Sequence, residues 1–280
     1  MSECSHDCSS CSSKCSEAKT SLLEKPNQLS NIKKVALKEN IEYINVISHN
    51  GEKYNSVIVA LFPYYAGEYD SYLSKYTRGM DYHRIGKLIL EKITDNLGIT
   101  DCEILIDVSP HNERLIALRA GLGVLGKNGL LINEKYGSFV FIGTVFLNLS
   151  DVYEESEINS CLNCGKCIKS CPFNAIKEDG IDYSLCLSHI TQKRQITKEE
   201  ENMIKEGKTV WGCDICQDVC PHNSKKLITP IKEFKENLLL SLDDIDSLSN
   251  KEFMKKYSLY SLAYKGKKIL KRNINIVNFS

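Results

Sequence analysis

The chain has 280 residues, 42% hydrophobic and 26% charged, which suits one large or two modest globular domains. Its 36 basic and 36 acidic residues cancel, so any affinity for a polyanion must come from local clustering of charge. The apolar runs are far shorter than the roughly 18 residues that a membrane span needs, and no export signal is present, so we predict a cytoplasmic protein that does not enter a membrane.

The first 25 residues form a cysteine-rich segment without apolar periodicity, which predicts a flexible tail. Four thiols follow C-x3-C-x2-C-x3-C spacing near His6, namely Cys4, Cys8, Cys11 and Cys15. Two interpretations stay open for them: a third metal site, or a tail whose thiols have no structural role.

Residues 26–150 carry the helix and strand patterns of an α/β (α+β) domain. A helix is predicted where Leu29, Ile32, Val35 and Ala36 recur at helical spacing, and a second over 82–97. A third helix is predicted to start with Ser109 as its cap and Pro110 at its first position. Predicted strands cover 41–47, 57–62, 102–107, 130–133 and 138–147, the last two as a pair.

A cysteine-rich region at 151–226 is followed by a short basic region, 227–280, with helices predicted over 242–257 and 259–276. Charge alone leaves two interpretations of this region open, a surface for nucleic-acid phosphates or a solvated helix face. Its basic residues are Lys251, Lys255, Lys256, Lys265, Lys267, Lys268, Lys271 and Arg272.

Eight cysteines have the spacing of a ferredoxin-like module with two 4Fe-4S clusters. A C-x2-C-x2-C-x3-C-P run ends at Cys171, a C-x2-C-x3-C-P run ends at Cys220, and Cys186 lies between them. In such runs three thiolates hold one cluster and the last reaches the other. The crossing rule assigns Cys161, Cys164, Cys167 and Cys220 to one cluster, and Cys171, Cys186, Cys213 and Cys216 to the other.

A pair of zinc sites is the competing interpretation, because C-x2-C pairs also occur in zinc ribbons. The three-cysteine turn and the proline after each run favour clusters instead. In an unexported chain of this length, thirteen cysteines indicate metal or redox chemistry rather than disulfides. We therefore predict that the module moves electrons, and that Cys102, on an apolar strand, belongs to the core.

Further short motifs occur before the cysteine region and around Cys213 and Cys216. They are Tyr76-Thr-Arg-Gly-Met-Asp-Tyr-His83, Asp107-Val-Ser-Pro110 with Glu113-Arg114, Arg119-Ala-Gly-Leu-Gly123, Gly126-Lys-Asn-Gly-Leu-Leu-Ile132, Gly137-Ser-Phe-Val-Phe-Ile-Gly143 and Trp211-Gly-Cys-Asp-Ile-Cys-Gln217. Taken together, over roughly residues 26–276, they resemble the motifs of the cobalamin-dependent epoxyqueuosine reductases.

The resemblance implies an oxidoreductase with a cobalamin-binding N-terminal domain, a two-cluster module that supplies electrons to cobalt, and a short helical C-terminus. It implies that the enzyme reduces epoxyqueuosine to queuosine at the wobble position of tRNA. The implied partners are the tRNA anticodon arm and an external low-potential electron donor. We expect a monomer, a short member without the C-terminal helical-repeat domain of longer relatives.

The same resemblance implies particular site residues. Asp107 is the implied proton donor, a role for which we expect a buried pocket to raise the pKa of its carboxyl. The implied corrinoid contacts are Asp107, Asn133, Ser138, Ile142, Ser188 and Asp214. Without the resemblance, Asp107 could simply accept backbone N–H bonds at a helix start.

Two other functions compete with tRNA modification. A reductive dehalogenase-like enzyme for a small molecule would share the cobalt and the clusters, but such enzymes commonly carry a twin-arginine signal that is absent here. A plain ferredoxin-type electron-transfer protein would use residues 26–150 only to dock partners. Binding of cobalamin separates the second alternative from an enzyme.

Overall fold

A four-stranded antiparallel sheet organises the N-terminal half of this computed structural model, which describes residues 28–69, 71–107, 109–151, 153–236 and 241–278. Its strands are β1 (Ile44–Ser48), β2 (Ser56–Pro63), β3 (Cys102–Ile106) and β6 (Val140–Leu147), in the order β1-β2-β6-β3. A separate short hairpin joins β4 (Val124–Leu125) to β5 (Leu131–Ile132).

Helices cover both faces of this sheet. Helices α1 (Gln28–Lys38) and α2 (Tyr82–Asn96) share one apolar core with every second residue of β2, and α3 (Glu113–Arg119) shares a second core with the alternate residues. All eight residues of β2 are therefore buried. A strand covered on both faces is a continuous apolar run, which is why the sequence of β2 was readable as a strand.

The start of α3 differs from the prediction. Asn112 caps this helix, its side-chain oxygen accepting a hydrogen bond from the backbone N–H of Leu115 at 3.1 Å. Ser109 instead accepts from the N–H of His111 at 3.0 Å, which closes a turn before the helix. The predicted cap at Ser109 and Pro110 is wrong because a nearer side chain satisfies the first helical amides.

The predicted pairing of 130–133 with 138–147 is also wrong. Strand β5 pairs with β4, whereas β6 pairs with β2 and β3. The isolated bridge from Asn133 to Gly137 lies at the turn and does not reach the predicted strand 138–147. The side-chain oxygen of Asn133 accepts hydrogen bonds from the N–H groups of Lys135 and Tyr136, and Gly137 adopts a φ of 60°. These residues form a turn directly after β5, so the chain leaves the β4–β5 hairpin there.

The cysteine region contains short helices joined by loops: α4 (Lys166–Ser170), α5 (Leu187–Ile190), α6 (Lys198–Gly207) and α7 (Ile215–Asp218). Helices α8 (Asn250–Tyr257) and α9 (Lys267–Asn278) follow. Leu187, Ile190 and Trp211 from the cysteine region share one apolar core with Phe253 and Tyr257. The C-terminal helices therefore support the cysteine region rather than the sheet.

The two predicted C-terminal helices are too long. Helix α8 starts only after Ser249, whose side chain and Glu252 form a reciprocal cap, and α9 starts after Gly266, which has a φ of 84°. No helix in the described part of the chain combines the length and the apolar character needed to cross a membrane. The N-terminal thiols Cys4, Cys8, Cys11 and Cys15, and the predicted flexible tail over 1–25, lie outside the described residues.

Candidate active site

The structure gathers the eight predicted ligand cysteines into two sets. The outer thiol set lines one small cavity and consists of Cys161, Cys164, Cys167 and Cys220. The inner thiol set lines a cavity of about 350 Å³ and consists of Cys171, Cys186, Cys213 and Cys216. This grouping is the one that the ferredoxin crossing rule predicts, while cluster binding by these thiols stays a prediction.

The donor chemistry of both sets fits iron–sulfur clusters. Each set offers four thiols, the number that holds one 4Fe-4S cluster, and no group of three or more His, Cys, Asp or Glu side chains among the described residues is placed to hold a single metal ion. Burial raises the pKa of Cys213 to about 11 and that of Cys216 to about 12. Thiols in such surroundings stay protonated without metal, so bound iron would have to stabilise the thiolates.

A cleft runs from the inner thiol set to the end of β3. Its apolar cavity lies between the inner set and aromatic side chains of the sheet half, where Tyr64 and Phe141 stack at 4.4 Å. A polar cavity of about 490 Å³ adjoins it and contains Asp107 and Glu113. Both cavities share the lining residues Arg114, Leu130, Ser138, Val140, Phe141 and Tyr183.

Asp107 directly follows β3 and has a φ of 58°, an uncommon backbone conformation for a residue with a side chain. Its carboxylate is 62% exposed to the cleft and accepts a hydrogen bond of 2.5 Å from the Tyr82 hydroxyl. Tyr82 is held by stacking on Phe141, with ring centroids 4.0 Å apart. The preceding Ile106 packs against Gly86 and Gly143, so helix α2 and the sheet together position Asp107.

His83 is the second partner of Asp107. Its Nε2 lies 3.7 Å from Asp107 Oδ2, and its Nδ1 lies 2.8 Å from Asp81 Oδ1 at the cap of α2. Burial acts to lower the pKa of His83, but the neighbouring carboxylates of Asp107 and Asp81 outweigh it and raise the pKa to about 9. His83 is therefore an imidazolium at neutral pH.

The expected high pKa of Asp107 is not found in the open cleft. Partial burial acts to raise the pKa of Asp107, but the nearby His83 and the hydrogen bond from Tyr82 hold it below its ordinary value. Within the described part of the chain the Asp107 carboxylate contacts these two side chains rather than the backbone N–H groups of a helix start. Asp107 is therefore an ionised carboxylate beside a protonated imidazole.

Glu113 is a site residue that the sequence did not single out. Both of its carboxylate oxygens accept from the backbone N–H of Asp107, at 3.1 and 3.0 Å. Burial and the negative charge of Asp107 raise the pKa of Glu113 to about 7. Its place in the Asp107 motif was visible, but only the folded chain reveals that it holds the Asp107 backbone.

Four of the six residues implied as corrinoid contacts line the cleft. Ser188 lines the apolar cavity, Asp107 and Ile142 line the polar cavity, and Ser138 lines both. Ser138 is also part of a buried network, because its hydroxyl accepts from Asn223 Nδ2 at 2.9 Å and from Gln217 Nε2 at 3.1 Å. These bonds join the sheet half to the cysteine region.

The other two, Asn133 and Asp214, line neither cavity of the cleft. The amide of Asn133 donates to the Leu122 carbonyl at 2.9 Å while its oxygen closes the turn described above. Asp214 accepts from the N–H of Lys75 at 2.8 Å and from the Ser74 hydroxyl. Both polar side chains thus have structural partners.

The chain is similar to known proteins in both sequence and fold. Residues 160–223 match the family described as a 4Fe-4S double cluster binding domain. An epoxyqueuosine reductase of Leadbetterella byssophila is 36% identical over 73% of this chain and 70% of its own length. Another, of Lactococcus garvieae, is 34% identical over 70% of this chain and 58% of its own length.

The fold also resembles that of a solved epoxyqueuosine reductase described with an epoxyqueuosine-modified tRNA-Tyr stem loop. The TM-score is 0.73, at 22% sequence identity, and the match covers 88% of this chain and 79% of that chain. At this identity the likeness concerns the mixed helix and sheet fold.

Proposed function

The chain belongs to the epoxyqueuosine reductase family, and we propose that it reduces epoxyqueuosine in tRNA to queuosine as a cytoplasmic, monomeric, cobalamin-dependent enzyme. The single observation that carries this proposal is the cleft, which has an apolar cavity beside four thiols and an acid with a protonated partner at its other end. The reaction converts an epoxide, two electrons and two protons to an alkene and water.

The apolar cavity fits a corrinoid, and the thiol sets fit two 4Fe-4S clusters. Tyr64, Tyr76 and Phe141 offer flat apolar surface to a macrocycle, and Ser188 lies on the opposite, cysteine-bearing side. Ser138 lies where this cavity meets the polar one, and Ile142 lines the polar cavity. When bound, a corrinoid would supply low-valent, strongly nucleophilic cobalt, and the clusters would supply its electrons.

Asp107 would give its proton to the epoxide oxygen as the carbon–oxygen bond breaks. Because Asp107 rests ionised, its proton has to come from a neighbour, and His83 carries one 3.7 Å from Oδ2. A nucleoside filling the polar cavity would cover the exposed carboxylate. Removal of water there raises the pKa of Asp107 and draws the proton from His83 to the acid.

Glu113 and Tyr82 would hold this acid in place. Glu113 fixes the backbone of Asp107, and the Tyr82 hydroxyl fixes Oδ2. Acid catalysis depends on such positioning, since a proton must be within hydrogen-bond reach of the oxygen that receives it.

Only some of the basic side chains in the C-terminal region would be free to contact RNA, because others are paired within the protein. Lys256 pairs with Asp244 at 2.7 Å, Lys271 pairs with Asp246 at 3.1 Å, and Arg272 donates to the Lys193 carbonyl at 2.9 Å. Exposed lysines with no ion pair recorded among the described residues are Lys251, Lys255, Lys265 and Lys268. These four are the candidates for contact with anticodon-arm phosphates.

The test is reduction of an anticodon stem-loop carrying epoxyqueuosine by anaerobically purified protein with both clusters and added cobalamin. Nucleoside mass spectrometry measures queuosine. We expect formation by the wild type and a rate at least about 100-fold lower for Asp107→Asn, with unchanged iron content and cobalamin absorbance. A wild-type protein that holds both cofactors and forms no queuosine would contradict the proposal.

A further inference from the structure

The two thiol sets differ in their access to solvent. Cys164 of the outer set is the one exposed cysteine among the eight, and the inner set lines the cleft instead. The cavity of the outer set shares no lining residue with the polar cavity. An external electron donor could therefore reach the outer set without entering the polar cavity, where the proposed function places the substrate.

Two exposed apolar side chains lie beside Cys161 of the outer set. Leu162, next to the ligand candidate Cys161, is 68% exposed and is the most exposed large apolar side chain among the described residues. Leu125 is 41% exposed, and its carbonyl accepts the N–H of Cys161 at 3.0 Å. Apolar surface that stays exposed beside a functional site commonly marks a contact for another protein.

Positive charge borders this apolar surface. Helix α4 lies between Cys164 and Cys171 and carries Lys166 and Lys169, both exposed and without a recorded ion pair in the described part of the chain. From Ile158 to Lys177 the sequence has three lysines and no acid. The nearby Lys127 is already neutralised by Glu178 at 2.8 Å. Two of the three lysines from Ile158 to Lys177 therefore lie on α4.

We propose that the surface formed by Leu125, Leu162, Lys166 and Lys169, called here the outer face, docks an acidic single-electron carrier protein. This proposal shares one requirement with the proposed function, namely that the two thiol sets hold 4Fe-4S clusters. In each encounter the carrier is oxidised by one electron and the outer cluster is reduced by one. Two encounters and two protons balance the conversion of one epoxide to alkene and water.

The mixture of apolar and basic side chains favours a protein over RNA. Phosphates would use the lysines but gain nothing from an exposed leucine, whereas transient redox complexes combine a small apolar contact with charge steering. Steering by opposite charge raises the association rate and makes it fall with salt. An acidic carrier would thus find this face quickly and leave it after transfer.

The test follows cluster reduction by stopped-flow absorbance, without cobalamin or tRNA, so its failure is distinguishable from failure of the proposed function. The donors are flavodoxin hydroquinone, an acidic protein, and dithionite, which needs no docking surface. We expect Lys166→Glu/Lys169→Glu to slow reduction by flavodoxin by about tenfold or more at low salt. Leu162→Gln, which changes no charge, should slow it by about two- to fivefold and leave reduction by dithionite unchanged.

The matched control is Lys33→Glu/Lys34→Glu on α1, which changes the net charge equally at two exposed positions. It should leave the flavodoxin rate within about twofold of the wild type. Equal rates for the outer-face variants and this control, with iron content intact, would overturn the proposal. Loss of stem-loop binding by Lys166→Glu/Lys169→Glu, with normal reduction by flavodoxin, would overturn it in favour of an RNA surface.

Discussion

The sheet half and the cysteine region are stabilised in different ways. In the sheet half, β2 is buried along its whole length between two apolar cores. In the cysteine region, α4, α5 and α7 have five, four and four residues, too few to be stable by themselves. Burial of apolar surface can therefore fold the sheet, whereas the cysteine loops depend on what their thiols bind and on the core shared with α8 and α9.

The strongest test of this difference removes one cluster. Cys213→Ser deletes an inner-set thiol, so iron should fall from about eight to about four atoms per chain. Limited proteolysis should then cut within 160–223 while the sheet half stays intact, because the loops lose their cross-link. The control is Cys102→Ser, whose thiol is half-buried on β3 and belongs to neither set. Full iron content in Cys213→Ser would refute the ligand assignment.

The next test asks whether the sheet half supplies the proton for the reaction through His83 and Asp107. His83→Gln should slow epoxide reduction by about 10- to 100-fold, since Asp107 loses its proton source. The pKa of His83 is raised to about 9, so the wild-type rate should fall as the pH rises through that value, and the variant should lack this fall.

The groups facing His83 are Asp81 and Tyr82 at the start of its own helix, and Asp107 and Glu113 around the cleft. Asp81→Asn should therefore lower the alkaline limit of the wild-type profile rather than abolish activity, because it removes one charge that favours the imidazolium. An unchanged alkaline limit in both variants would assign the titration to another group.

The sequence predicts those features that depend on local spacing. The helical period from Leu29 to Ala36 and the apolar run of β2 give elements close to those observed. The sequence spacing of the cysteines also predicts how they group in the fold. In two-cluster ferredoxins the last cysteine of each run binds the other cluster, and the observed thiol sets follow this rule. Family membership, shown by the relatives, confirms the recognition made from the short motifs.

Features set by distant contacts could not be predicted. The role of Asp214 as a cofactor contact stays a prediction, and the sequence did not show that Ser74 and Lys75, some 140 residues earlier, hydrogen-bond to its carboxylate. The low pKa of Asp107 depends on Tyr82 and His83, which reach it only after α2 packs on the sheet. The predicted strand pairing is wrong for the same reason. Strand β6 pairs with β2 and β3, which lie much earlier in the chain, and not with the segment just before it.

A smaller effect is expected from crowding the sheet beneath Asp107. A Cβ at Gly143 would lie 2.4 Å from Ile106 Cδ1 and 2.8 Å from Phe62, so Gly143→Ala forces side chains apart. The free energy of unfolding should fall by about 1–3 kcal/mol, with iron content unchanged. Glu103→Ala, at an exposed position of β3, should stay within about 0.5 kcal/mol of the wild type. Iron loss from Gly143→Ala would mean that the two regions do not fold independently.

The smallest effect should come from a hydroxyl in the core that supports the cysteine region. Tyr257 is fully buried, and its hydroxyl donates to the Ser241 carbonyl at 2.8 Å and contacts Asp244 at 2.9 Å. Tyr257→Phe keeps the ring and leaves both acceptors near solvent, so urea unfolding should show a loss of about 1 kcal/mol. Lys256→Ala, at the exposed end of the pair with Asp244, should change nothing measurable. If Tyr257→Phe released iron, the hydroxyl rather than the apolar ring would hold α8 against the cysteine region, and burial would no longer explain how this support works.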